Sequence, residues 1–185
     1  LPSGPRIGLR AGVLTISALL VAGTAFAVSS NVSDHLAQAA IHETVRTTES
    51  LLLGAMDPPV SEAALSDPGS QTGQAIDADL ARLTASGRVL RIKVWSPDGR
   101  VVFSDLPALR GQQFALDEDL GAAIHGDVST DISGASDPEN VFEKGLADRL
   151  LSIYLPIRGA DGTTVIGAYE IYEDAAPIES DIATT

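Results

Sequence analysis

An α+β fold is predicted from three features of the 185-residue sequence. Ala37, Ile41, Val45, Thr48 and Leu52 follow one another at steps of four and three, the spacing of a single helical face. From Arg88 the period changes to two, with Leu90, Ile92 and Val94 alternating with Arg91, Lys93 and Trp95. Two pairs of apolar runs are joined by short turns, Ser96-Pro97-Asp98-Gly99 and the stretch from Arg158 to Gly162, as in antiparallel hairpins. Helices followed by hairpin-linked strands imply a five-stranded antiparallel sheet with helices packed on its faces.

The elements follow in order. Residues 11 to 28 (AGVLTISALLVAGTAFAV) contain no charge, and a helix rising about 1.5 Å per residue would nearly cross a bilayer core of about 30 Å. Arg6 and Arg10 are the only charged residues before Asp34, so the positive-inside rule leaves 1–10 as a cytoplasmic tail and exports the chain beyond 30. Residues 11–30 therefore read as a transmembrane helix in the inner membrane. Ala25-Phe26-Ala27 also satisfies the A-x-A cleavage pattern, so a signal peptide removed after Ala27, releasing a secreted or periplasmic binding protein, is the second reading.

A long amphipathic helix follows and stops at Gly54 and Asp57-Pro58-Pro59. Residues 57 to 72 form a turn-rich connection with one short helical turn, and Ile76, Leu80 and Leu83 mark a second helix over 73–86. The first hairpin follows, with Gly99 in its turn. Residues 116 to 125 (LDEDLGAAIH) read as a short helix with an acidic first turn, ended by Gly126. Residues 127 to 133 (DVSTDIS) are a short strand, 134–148 a polar loop, and Leu150 to Ile157 with Thr163 to Tyr172 the closing hairpin.

Composition excludes several functions. The formal net charge of -13 opposes binding to a nucleic-acid backbone. With no cysteine there is no disulfide framework, thiolate metal site or cysteine nucleophile. No cofactor motif is visible, and no nucleophile, base and orienting group stand together, so no catalytic residue is assigned and the chain is not read as an enzyme. His125 with Asp117, Asp119 or Asp127 offers oxygen and imidazole ligands, but acidic loops are ordinarily solvated and no metal site is assigned.

Four stretches taken together, Ile92 to Asp105 (IKVWSPDGRVVFSD), Gly111 to Phe114 (GQQF), Leu151 to Ile157 (LSIYLPI) and Val165 to Asp174 (VIGAYEIYED), resemble the extracytoplasmic PAS-like sensor domains of bacterial membrane receptors. These are the single Cache, or PDC, domains of sensor histidine kinases, diguanylate cyclases and chemoreceptors. The resemblance implies a PAS-like sheet in a sensor domain over 31–174, with a first helix continuous with the membrane span. It further implies that 175–185 begins the segment toward a second transmembrane helix and a cytoplasmic output domain. The stimulus would be relayed through those helices, and a homodimer paired through first helices is expected. The stripe Ala37, Ile41, Val45, Thr48 and Leu52 is the candidate relay element.

Strand alternation nominates the ligand site. Arg91, Lys93 and Trp95 share one face of their strand, while Tyr154 stands with Ser152, and Glu170 with Tyr172. If these sets fall on one side of the sheet, they suit a small anionic metabolite, with Arg91 gripping a carboxylate in bidentate fashion and Lys93 acting as a point charge. The alternative is a solvated face with cross-strand ion pairs between Arg91 or Lys93 and Glu170.

Overall fold

The computed structural model describes residues 37–134 and 141–183, and within these it bears out the α+β plan. The membrane-span reading of 11–30 and the tail 1–10 lie outside the described residues. Among those described, no helix is long and apolar enough to cross a membrane.

Helix α1 covers 37–55. Two short-range caps then organise the connection. The Ser61 hydroxyl accepts the Ala64 N–H at 3.4 Å to start α2 (Glu62–Ser66), and the Ser70 hydroxyl accepts the Gly73 N–H at 3.1 Å to start α3 (Gln71–Ala85). That cap explains why α3 begins two residues before the predicted start. Strands β1 (Arg91–Trp95) and β2 (Val101–Ser104) form the first hairpin, where Gly99 has φ 82° and an added Cβ would lie 2.5 Å from the Phe114 carbonyl oxygen. A 3₁₀ turn at Pro107–Leu109 leads to α4 (Glu118–His125), capped by the Asp117 carboxylate, which accepts the Leu120 N–H at 2.8 Å. Then come β3 (Ser129–Gly134), β4 (Arg149–Arg158), β5 (Val165–Asp174) and α5 (Ala176–Ala183).

All strand pairings are antiparallel, in the order β2-β1-β5-β4-β3, so the last strand occupies the centre of the sheet. The two faces differ as period-two alternation demands. Against one face α1 and α3 bury Val45, Leu52, Ile76, Leu80 and Leu83 on Ile92, Val94, Phe103, Ile153 and Ile171. On the other face α4 and the chain around Phe114 cover a smaller apolar cluster built on Trp95, Tyr154 and Leu120.

The candidate relay stripe therefore packs against the sheet: Val45, Thr48 and Leu52 are buried, and Ile41 is half-buried on the same core. Ala37, at the start of the described helix, is also half-buried. Thr48 is the polar member, and its hydroxyl donates to the Glu173 carboxylate on β5. Burial pushes the Glu173 carboxyl above its ordinary value of 4.5, outweighing the Thr48 hydrogen bond and the charge of Arg88. Because the folded chain holds this proton to higher pH than the unfolded chain does, its contribution is full below about pH 4.5 and is lost as pH rises through the folded-state value. Glu173→Gln, which keeps an acceptor for Thr48, is thus expected to leave stability at pH 7 unchanged or higher and to flatten its decline above pH 4.5. Urea melts of the two proteins across that range check this; a clear loss at neutral pH would contradict it.

Candidate functional site

The register of the sheet assembles a polar face. Lys93 on β1 pairs with Ser104 on β2 and with Glu170 on β5; Glu170 pairs with Tyr154 on β4, and Tyr154 with Ser129 on β3. One row thus crosses all five strands. A second row joins Arg91, Tyr172, Ser152 and Asp131. Arg91, Lys93, Trp95, Tyr154 and Glu170, the five residues nominated by alternation, all stand on this side.

This face is buried rather than solvated, which corrects the second of the two expectations for it. Buried charge is tolerated only when paired and hydrogen-bonded, and Glu170, 4% exposed, is where the pairing concentrates. Its Oε1 accepts hydrogen bonds from the Tyr154 hydroxyl at 3.2 Å and from Tyr172. Its Oε2 accepts the Trp95 indole N–H at 2.7 Å and lies 3.4 Å from Lys93 Nζ. Lys93 also donates to the Tyr172 hydroxyl at 3.1 Å, with its ammonium 4.7 Å from that ring's centroid. The cross-strand Lys93–Glu170 pair expected from sequence is present. Burial, reinforced by the Glu170 charge, raises the Tyr154 and Tyr172 phenols well above their ordinary range, so both act as neutral donors.

The cations have further partners. Asp105 accepts the Ile92 N–H at 3.0 Å and stands 3.5 Å from Arg91 Nε. Glu143, from the segment after β3, places Oε1 3.4 Å from Arg91 Nη1 and 3.1 Å from Lys93 Nζ, and Arg91 also donates to the Phe142 carbonyl. Three carboxylates, Asp105, Glu143 and Glu170, thus answer two cations.

Between this face and α4 lies a cavity of about 450 Å³, within the roughly 300–1,000 Å³ common to small-molecule sites. Trp95, Phe114 and Phe142 form an edge-to-face series at its side, with centroid separations of 5.7 and 6.3 Å. Lys93, Tyr154 and Glu170 line its floor, and the opposite wall carries Asp117 and Asp119. Burial raises the Asp117 carboxyl, aided by the nearby Glu170 and Asp119 charges and opposed by its capping bond to Leu120. The Asp119 carboxylate accepts the Ser129 hydroxyl.

No family model matches the chain, and no curated protein matches it. Solved structures share its architecture, three of them as follows. The Escherichia coli DcuS sensor domain superposes with a TM-score of 0.50 at 17% identity, over 82% of this chain and 97% of that one. The sensor domain of the Vibrio cholerae histidine kinase DctB gives 0.52 at 16% identity, over 81% of this chain and 57% of that one. The Campylobacter jejuni chemoreceptor Tlp3 ligand-binding domain, in complex with 4-methylisoleucine, gives 0.50 at 15% identity, over 83% and 61%. The fold is Cache/PDC-like. At these identities the likeness is one of fold, and the chain spans a little more than half of the DctB and Tlp3 structures.

Within the Cache/PDC-like fold, alternation identified the floor of the cavity but not its walls. Asp105 and Glu143 lie outside regular strands, where no period marks them, and Phe114 and Phe142 lie in irregular segments. Asp117 and Asp119 were legible as acids at a helix start and as oxygen ligands beside His125, not as a cavity wall. His125 takes no part: it is exposed, with Nδ1 2.6 Å from the Gly121 carbonyl oxygen. Among the described residues, no three His, Asp or Glu side chains gather as metal ligands.

Proposed function

We propose that this chain is the extracytoplasmic sensing portion of a membrane-anchored bacterial signalling receptor, and that the cavity under α4 receives the small molecule it detects. The half-open, partly aromatic cavity over the polar face of a Cache/PDC-like sheet carries this reading. Lys93, which lines the cavity, and Arg91, two residues before it on β1 and outside the lining, are the cations available to an anionic group at the β1 end. Asp117 and Asp119 on the opposite wall disfavour a second negative charge, so the ligand is a monocarboxylate or a zwitterion rather than a dianion.

The anchor is the uncharged stretch 11–30 in the inner membrane, with 1–10 cytoplasmic, 31–174 as the sensor and 175–185 leading to a second span. Relay runs through the Ala37, Ile41, Val45, Thr48 and Leu52 stripe, whose packing on the sheet a ligand would bias. The partner is a second copy of the chain through its first helix, where Leu53 is 64% exposed. Output, of kinase, cyclase or chemotaxis type, belongs to a further domain.

The test is a thermal-shift screen of the chain against monocarboxylates, amino acids, dicarboxylates and amines. A true ligand at a hundredfold excess over Kd contributes about 2.7 kcal/mol, a rise of roughly 5–10 °C for a domain of this size. Stabilisation confined to monocarboxylates or zwitterions supports the reading. A screen in which no compound stabilises the chain, or in which dianions bind best, overturns it.

A further inference from the structure

Beside this cavity, where Lys93 meets its wall, a carboxylate of the chain already sits on the two cations of β1. Glu143 sits in the turn 141–145, whose neighbours Val141 and Phe142 are exposed, yet its own side chain is completely buried, at 0% exposure. Its Oε1 bridges Arg91 and Lys93, the two cations of β1, while its Oε2 has no hydrogen-bond partner among the described residues. A carboxylate offers about four acceptor positions, so Glu143 is an imperfect fit to the pair it neutralises. Among the described residues its turn is held by Arg91 on the Phe142 carbonyl, the Leu146 N–H on the Glu143 carbonyl at 3.1 Å, Phe142 edge-on to Phe114, and the Glu143 ion pairs themselves.

Resting on the reading of the cavity as a ligand site, we propose that Arg91 and Lys93 form a carboxylate site filled by the chain's own Glu143, and that a ligand carboxylate enters by displacing it. Charge balance requires the exchange. A ligand anion added without a departure would set four buried carboxylates against two cations, a cost that pairing cannot offset. Glu143 is the one that can leave. Glu170 is held through both oxygens by Tyr154, Tyr172, Trp95 and Lys93, and Asp105 is fixed by the Ile92 N–H. An untethered carboxylate can turn both oxygens to the guanidinium and the ammonium, which Glu143 on its turn does not. Lys93 and Phe142 line the cavity as well as touching or flanking Glu143, so the two spaces adjoin. Glu143 thereby acts as a built-in competitor that lowers apparent affinity, and its expulsion ties ligand arrival to movement of the turn.

Trp95, the one tryptophan in the sequence, reports on the site, because its indole is bonded to Glu170 and its ring lies 5.9 Å from Lys93 Nζ. Glu143→Ala in the whole chain is titrated with sodium acetate and with sodium chloride at equal ionic strength, reading Trp95 fluorescence and melting temperature. The variant is expected to melt lower than the parent and to be restored saturably by acetate alone. Half-restoration should come at roughly one-tenth or less of the acetate needed to perturb the parent, and adding Arg91→Gln should abolish it. Should Glu143→Ala fail to fold, Glu143→Gln, of the same shape without the charge, carries the same comparison. Equal effects of acetate and chloride on the variant, or a parent as responsive as the variant, overturn the exchange. If acetate fails while the screen above yields a ligand, the exchange is wrong and the sensing reading stands; acetate restoration with an empty screen has the opposite meaning.

Discussion

Replacing Glu170 with Ala is expected to cost the fold about 3–5 kcal/mol, the largest loss from any single side chain on the polar face. Glu170 is one carboxylate serving Tyr154, Tyr172, Trp95 and Lys93 from the central strand. Its removal leaves a buried ammonium with Glu143 as its one remaining acidic partner among the described residues, and the Tyr154, Tyr172 and Trp95 donors without the acceptor they share. Glu170→Gln should fall between the parent and Ala: the amide oxygen can still accept from the tyrosines, but its NH2 then faces the Trp95 N–H and the Lys93 ammonium, both donors. Urea unfolding followed by circular dichroism measures both. A loss below about 1 kcal/mol for Ala would mean that the network resembles a surface ion pair and does not hold the face together.

The second large effect comes from a position without a side chain. Gly167 on β5 lies where an added Cβ would stand 2.3 Å from the Trp95 carbonyl oxygen, a backbone atom that cannot rotate away. Gly167→Ala is expected to force β1 and β5 apart at that end and to cost about 1–3 kcal/mol, as overpacking does. The same displacement should move Trp95 relative to Glu170, so the fluorescence emission should shift together with the denaturation midpoint. An Ala variant with parental stability and emission would show that the strands can separate locally without strain.

Most elements of this fold could be read from local chemistry. Pro97-Asp98-Gly99 marked a turn, Ile76, Leu80 and Leu83 marked a helix, and alternation from Leu90 to Trp95 separated two strand faces before any pairing was known. That Arg91, Lys93, Trp95, Tyr154 and Glu170 share a side follows from period two plus antiparallel pairing. Their burial does not, because it depends on α4 and the chain around Phe114 folding back over the face, a tertiary event with no periodic trace. Glu143 shows the limit most plainly. In a polar stretch between strands its residue type predicts solvent, and only the three-dimensional position of two cations draws it inside. Strand order was equally hidden, since hairpin turns determine which consecutive strands meet but not that β5 inserts between β1 and β4.

That insertion bears on how the domain is made. The hairpin β1–β2 and the pair β3–β4 share no direct pairing; only β5 joins them, and it is synthesised last. Until Val165 to Asp174 is available, the nascent chain holds two half-sheets with open edges, and the long-range contacts that close the sheet must wait. Folding of this domain is therefore a late, concerted event, and a cut between β4 and β5 leaves two aggregation-prone ribbons instead of a smaller working domain.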